Sequence, residues 1–262
     1  MTDARLTIAL GEYDTGWHDP RASLAAAATL ARSVAAVGVD VVVLPEMATT
    51  GFTMDTAQAV AIDSPEVDAL RRIARESSIW LIAGVALRDE HDPTHAVNGS
   101  LAVDPQGEVV AIHRKQRLFA YGDEDQYYQP GTDATTFAIG GVRLGMFICY
   151  ELRFPELFAP VAPDVDAMIV IANWPRSRQH HWDVLLRARA IENQCYVIGV
   201  NRTGVANGLA YSGGSAAFDP WGDWVTASHA NGTRIAALDA QRVADVRAAY
   251  PFLKDRSLAA IA

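Results

Sequence analysis

The sequence of 262 residues carries only two cysteines, Cys149 and Cys195, too few for a disulfide scaffold and too far apart for a compact metal knuckle. A reducing, cytoplasmic setting is the expectation. No uninterrupted apolar run approaches the roughly 18 residues a membrane helix needs, so no membrane partner is expected. The opening "MTDARLTIAL" lacks both the basic leader and the long apolar segment of an export signal, and reads as a first strand. Cations are also scarce: 22 lysines and arginines against 31 acidic residues give a formal charge of -9. That balance argues against a nonspecific nucleic-acid binder, while a local basic pocket for a small anion stays open. The adjacent His180 and His181 do not have the four-residue spacing of a metalloprotease helix, so no metal or other cofactor is expected. The pair reads as a helix entry with one ring inward and one exposed, since adjacent helix positions do not share a face. "NGLAYSGGS" is rich in glycine but has no lysine at phosphate-loop spacing.

Half of the residues are apolar, enough for a large core, and no linker or low-complexity stretch divides the chain. A single domain over residues 1–262 is therefore expected, with a last segment (about 242–262) that covers the body or extends to a partner. "LTIAL" and "VDVVVLPEM" read as buried strands, and the alanine-rich stretch between them as a helix opened by Pro20 and closed by Gly38. Ser64 and Pro65 begin a second helix whose inward face is Val67, Leu70, Ile73 and Ala74. "IWLIAGVAL" is a strand; "RDEHDPTHAVNGS" reads as turn; "LAVDP" and "EVVAIHRK" form a hairpin punctuated by Asp104, Pro105 and Gly107. Further strands are expected at "VRLGMFICY", "DAMIVIAN", "CYVIGVNR", "SGGSAAFDP" and "TRIAALD". A helix over "RSRQHHWDVLLRARAIENQ" shows Trp182, Leu185, Leu186, Arg189 and Ala190 at spacings of three and four. The order suits an α/β domain of two packed sheets with helices outside.

Polar residues at the ends of apolar strands are the candidates for chemistry. "GMFICYELRFPELF" drives a hydrophobic run straight into Cys149, where a following helix presents free N–H groups. A thiolate there is a good nucleophile toward an acyl carbon. Burial alone equally suits a small hydrophobic cysteine, the plain reading for Cys195 inside "CYVIGV". "VVVLPEM" ends in Glu46, whose pKa burial is expected to raise into the range of a proton carrier; pairing with an arginine or capping a helix is the bland reading. Lys115 closes "VVAIHRK" and would favour a thiolate and an oxyanion, though most lysines are simply solvated. Glu124 follows in "FAYGDEDQYYQPG", where Asp123 and Asp125 compete with it and the loop has a solvated look.

The ordered set "LPEM", "HRKQRLF", "GMFICYELRFPELF", "NWP", "HWDVLLRARAIENQCYVIGVNRTG" and "YSGGSAAFDPWG" resembles the nitrilase superfamily, the carbon-nitrogen hydrolases, over roughly residues 5 to 240. The resemblance implies a four-layer α-β-β-α sandwich, pairing as a homodimer through an outer surface, and no cofactor. It implies Cys149 as nucleophile, Glu46 as general base and acid, Lys115 as oxyanion stabiliser and Glu124 as second glutamate, with the backbone N–H of Tyr150 facing the oxyanion. "NWP" and "LFAYGDEDQYYQPG" look most like the omega-amidase branch. That branch implies release of ammonia, through a thioester, from the distal amide of 2-oxoglutaramate or 2-oxosuccinamate. The alternatives are an N-carbamoyl amino acid or aliphatic amide hydrolase, or a noncatalytic scaffold on the same fold. A keto-acid amide needs an anion site, for which Arg153, Arg176 and Arg178 are candidates as bidentate donors. Trp174, Phe119 and Tyr121 would wall a compact pocket, or serve as core or dimer residues instead.

Overall fold

A computed structural model describes residues 4–90, 92, 94–228 and 232–256. Its elements in order are β1 (Arg5–Leu10), α1 (Pro20–Ala35), β2 (Val41–Val43), α2 (Pro65–Ser77), β3 (Trp80–Arg88), β4 (Ala96–Val103) and β5 (Val109–Arg114). Then come α3 (Glu124–Tyr127), β6 (Thr135–Ile139), β7 (Val142–Ile148), α4 (Pro155–Phe158), β8 (Ala167–Ala172), α5 (Gln179–Asn193) and β9 (Tyr196–Asn201). The chain continues through β10 (Thr203–Ala206), β11 (Leu209–Ser212), β12 (Ala216–Phe218), β13 (Thr226–Ser228), β14 (Arg234–Asp239) and α6 (Ala240–Ala249). One sheet of seven strands runs β13-β14-β1-β2-β3-β4-β5, a second of five runs β12-β9-β8-β7-β6, and β10 with β11 forms a hairpin.

Strand periodicity builds the layers. In β1, Leu6, Ile8 and Leu10 face the space between the sheets, as do Ile169 and Ile171 of β8 and Ile198 and Val200 of β9. The intervening residues face outward: Ala9 and Val42 pack on Ala27, Ala31 and Val34 of α1 and Leu70 of α2. On the other side, Met168, Val170 and Val197 pack on Trp182, Leu186 and Ala190 of α5. The result is the four-layer α-β-β-α sandwich, both faces of each sheet being covered, which is why its central strands read as continuous apolar runs. Local signals fix the helix ends: Asp19 caps α1 through Ala22 N with Pro20 in the first turn, and Ser64 caps α2 through Val67 N. Gly38 takes φ +79° just beyond α1, where a side chain would be strained. No helix among the described residues is long and apolar enough to cross a membrane.

Three details differ from the expectations, and the end of the chain follows one of the two offered for it. The stretch read as turn before Leu101 is already strand from Ala96, and all eight residues of β4 are buried, because this strand lies between β3 and β5 in a covered sheet. "SGGSAAFDP" is not one strand: Ser212 ends β11, Gly213 and Gly214 turn the chain at positive φ, and only Ala216–Phe218 joins the five-stranded sheet. His180 and His181 are both exposed, neither ring pointing into the core. At the end of the chain, α6 covers the body: Val243 joins the core between the sheets, and Arg247 donates to the carbonyls of Ala162, Val165 and Gln194. Residues 257–262 of the expected partner-reaching segment lie outside the described residues.

Candidate active site

Three strands from two sheets end at one place. Cys149 follows the last residue of β7, and there the backbone turns sharply, to φ +48°, into a short 3-10 helix, Cys149–Arg153. A left-handed φ on a side chain with a Cβ costs about 1 to 3 kcal/mol, and such positions gather at functional sites. The apolar run therefore ends at a thiol because the strand ends there. Glu46 lies just past β2, where Pro45 leads the chain out of the sheet and across β3. The crossing is close: Gly84 N donates to Pro45 O at 3.1 Å and Gly84 O accepts from Ala48 N at 2.8 Å. A Cβ on Gly84 would lie 2.5 Å from Glu46 Cα, so only glycine lets this segment rest on β3.

Lys115, the residue after β5, is fully buried beside both glutamates. Its Nζ donates to Glu46 Oε1 at 2.8 Å and to Glu124 Oε2 at 2.9 Å and Oε1 at 3.1 Å. Glu124 opens α3 with no exposed surface, while Asp123 and Asp125 are exposed, so only one acid of the three points inward. Phe119 N donates to Glu124 Oε2 at 2.6 Å. Two asparagines complete the cluster. Asn98 Nδ2 donates at 2.8 Å to both Glu46 Oε1 and Glu124 Oε1. Asn173 fixes Glu46 from the other sheet, its N reaching Oε2 at 2.8 Å and its Nδ2 reaching the Glu46 carbonyl at 2.6 Å. Asn98 went unread inside "HAVNGS", although a polar residue interrupting a buried strand is the same signal that marks Glu46; Asn173 lies in "NWP" without an assigned role.

The electrostatics correct one expectation. Burial pushes the Glu46 carboxyl up, but Lys115 and the hydrogen bonds from Lys115, Asn173 and Asn98 together outweigh it, and the net direction is down. Lys115 goes the other way: burial alone would depress it, and the charges of Glu124 and Glu46 carry it far above the usual ammonium range. The thiol of Cys149 is pushed well up, by burial first and then by Glu46, with Lys115 opposing. At rest Lys115 is thus an ammonium hydrogen-bonded to Glu46 and Glu124 beside a neutral thiol.

Cys149, Tyr150, Phe119, Phe52, Asn173 and Trp174 line a cavity of about 50 Å³. Arg153 and Arg178 also reach it, Arg153 lying 4.8 Å over the Trp174 ring and Arg178 5.5 Å over that of Phe119. Arg176 is exposed and outside this lining, because the 3-10 turn Arg176–Arg178 points its first side chain to solvent. Tyr121, 86% exposed, stands only at the rim of an outer, largely apolar cavity of about 470 Å³ that also borders Trp17, Met54 and Leu209. Tyr211 and Leu209, on the hairpin, close the inner cavity and were not anticipated. Among the described residues no group of histidine, cysteine or acidic side chains could hold a metal ion.

Residues 7–248 match the carbon-nitrogen hydrolase family. The chain is 37% identical over 221 residues to the omega-amidase YafV of Escherichia coli K12, covering 83% of this chain and 84% of that one. It is 34% identical over 221 residues to the 2-oxoglutaramate amidase of Bacillus subtilis, covering 82% and 84%. A carbon-nitrogen hydrolase superfamily protein of Xanthomonas campestris, solved with an arsenic adduct in its active site, superposes with a TM-score of 0.90 at 33% identity over 100% of both chains.

Proposed function

This chain belongs to the carbon-nitrogen hydrolases of the nitrilase superfamily, closely related to the omega-amidase branch, and on that premise we propose that Cys149 attacks the distal amide of short alpha-keto acids. One observation carries the reading: a buried ammonium, Lys115, is held between Glu46 and Glu124 next to a thiol at a strand end. As sulfur bonds to the amide carbon, the thiol proton passes to Glu46. The carbonyl oxygen becomes an oxyanion facing Lys115 Nζ and the N–H of Tyr150. Proton transfer before attack is unfavourable, since Glu46 is held low and the thiol high. Transfer therefore accompanies C–S bond formation, when the growing oxyanion draws Lys115 away from the glutamate. Collapse breaks the C–N bond, and Glu46 returns the proton to departing ammonia. Glu46 then takes a proton from water as the water oxygen bonds to the thioester carbon, Glu124 holding Lys115 in place; the C–S bond breaks, Glu46 returns the proton to the Cys149 sulfur, and the acid leaves.

The substrate assignment is supported by the likeness to proteins named omega-amidase and 2-oxoglutaramate amidase, and by two guanidinium groups, Arg153 and Arg178, at a small apolar pocket. Either can pair with the carboxylate of the keto acid. Ammonia release should be measured with 2-oxoglutaramate, 2-oxosuccinamate, simple aliphatic amides, carbamoyl amino acids and nitriles. Keto-acid amides are expected to give the highest kcat/KM; carbon dioxide released together with ammonia from a preferred carbamoyl substrate would replace this assignment.

A homodimer belongs to the same proposal. Val184 and Ile191 on the outer face of α5 are 52% and 51% exposed, and Trp224 beside them is 50% exposed. With Phe218 and Arg187 they border one shallow hollow, a contiguous apolar face of the kind that marks an interaction site. Sedimentation velocity should find the native protein dimeric and Ile191→Glu monomeric; a monomeric native protein at micromolar concentration contradicts the pairing.

A further inference from the structure

The amide chemistry described above makes no use of Glu151, a fully buried carboxylate two residues beyond Cys149. Its Oε2 accepts from Ile148 N at 2.5 Å and from His113 Nε2 at 3.0 Å, and its Oε1 accepts from Gln116 N at 2.6 Å and more weakly from His113 Nε2 at 3.3 Å. Ile148 immediately precedes Cys149 on β7 of the five-stranded sheet. Gln116 immediately follows Lys115, and His113 lies on β5 of the seven-stranded sheet. One carboxylate thus ties the residue before the sulfur to the residue after the ammonium, across two sheets. Capping the turn at Cys149 requires a single acceptor, the one that meets Ile148 N; the second oxygen is spent on the other sheet.

We propose that Glu151 is a positioning residue that, through His113 and the N–H groups of Ile148 and Gln116, sets the spacing between Cys149 Sγ and Lys115 Nζ. The inference rests on the roles proposed for those two groups. Glu151 needs donors on all its faces because it is out of water, and it finds them on the two strands whose separation matters. Glutamine at this position presents an NH2 where one backbone N–H now donates, so one of the two sheet contacts opens. Aspartate keeps the charge but is one methylene short of spanning both.

The test combines two readouts on Glu151→Gln and Glu151→Asp: steady-state kinetics of ammonia release, and the pH profile of Cys149 alkylation by iodoacetamide. The leading charges acting on the thiol are Glu46, which raises it, Lys115, which lowers it, and Glu124, which raises it, and the Tyr211 phenol interacts with it as well. Loosening the lysine therefore moves the alkylation profile to higher pH, with rates about tenfold slower below the midpoint. A displacement near 1 Å lowers kcat by about 100-fold while KM stays within about threefold. A residue needed only for folding would lower the melting temperature and yield, and leave the alkylation profile of the folded protein where it was. Folded variants with native kcat and a native profile overturn the proposal, and so does failure of both variants to fold. If the native protein hydrolyses none of the amides yet the alkylation profile shifts in the variants, the functional reading fails and the clamp stands. If the native protein hydrolyses amides and the variants match it in both readouts, the clamp fails and the functional reading stands.

Discussion

Replacing Glu46 by glutamine is expected to lower kcat by about 10⁴-fold, the upper end for general acid–base catalysis, because the same carboxylate handles the proton in both half-reactions. Its consequence for the thiol runs the opposite way. The negative charge of Glu46 is one of the causes that hold the Cys149 thiol high, so removing it lowers the thiol toward its ordinary range. Alkylation of Cys149 at neutral pH should become faster while turnover collapses. Lys115 keeps Glu124 as partner in the variant and Asn98 still donates to Glu124, so that half of the cluster is kept, while the glutamine NH2 replaces one accepting oxygen and gives up the contacts on that side. Parallel kinetics of ammonia release and of iodoacetamide labelling check both halves. Turnover and labelling falling together would mean that the substitution merely deformed the pocket.

The second large effect is that of Cys149→Ala. Loss of the nucleophile should reduce turnover by about 10⁵- to 10⁶-fold, as removal of a nucleophile does in other covalent hydrolases. Binding should survive, since Arg153, Arg178, Trp174 and Phe119 shape the cavity without the sulfur. Isothermal titration with a keto-acid amide should therefore give heats of binding and no ammonia. Retained turnover in the folded variant would remove the sulfur from the mechanism.

The residues that sequence reasoning reached share one physical signature. Glu46, Lys115 and Cys149 each lie at or just past the end of a strand, Glu46 and Cys149 after buried apolar runs and Lys115 after the half-buried β5, and there a polar side chain meets the others where the two sheets pack. Glu124 was harder, because one turn of helix decides which of three adjacent acids points inward, and no pattern in "GDEDQ" records that turn. Arg176 and Arg178 differ in the same way, by their direction on one short 3-10 helix. Asn98 stayed hidden because asparagine, glycine and serine in sequence look like a turn, while here they lie in a strand buried on both faces. The direction of the Glu46 shift could not be read at all. It depends on donors from β4, from Asn173 after β8 and from Lys115 after β5, which meet only once the two sheets pack.

The most direct measurement is the intact mass of the protein quenched with acid during turnover of 2-oxoglutaramate. Capture of the acyl carbon by sulfur predicts a species heavier by the substrate less ammonia, located by peptide mapping on Cys149 and absent from Cys149→Ala. An unmodified protein throughout steady-state turnover, combined with full activity in Cys149→Ala, would contradict it.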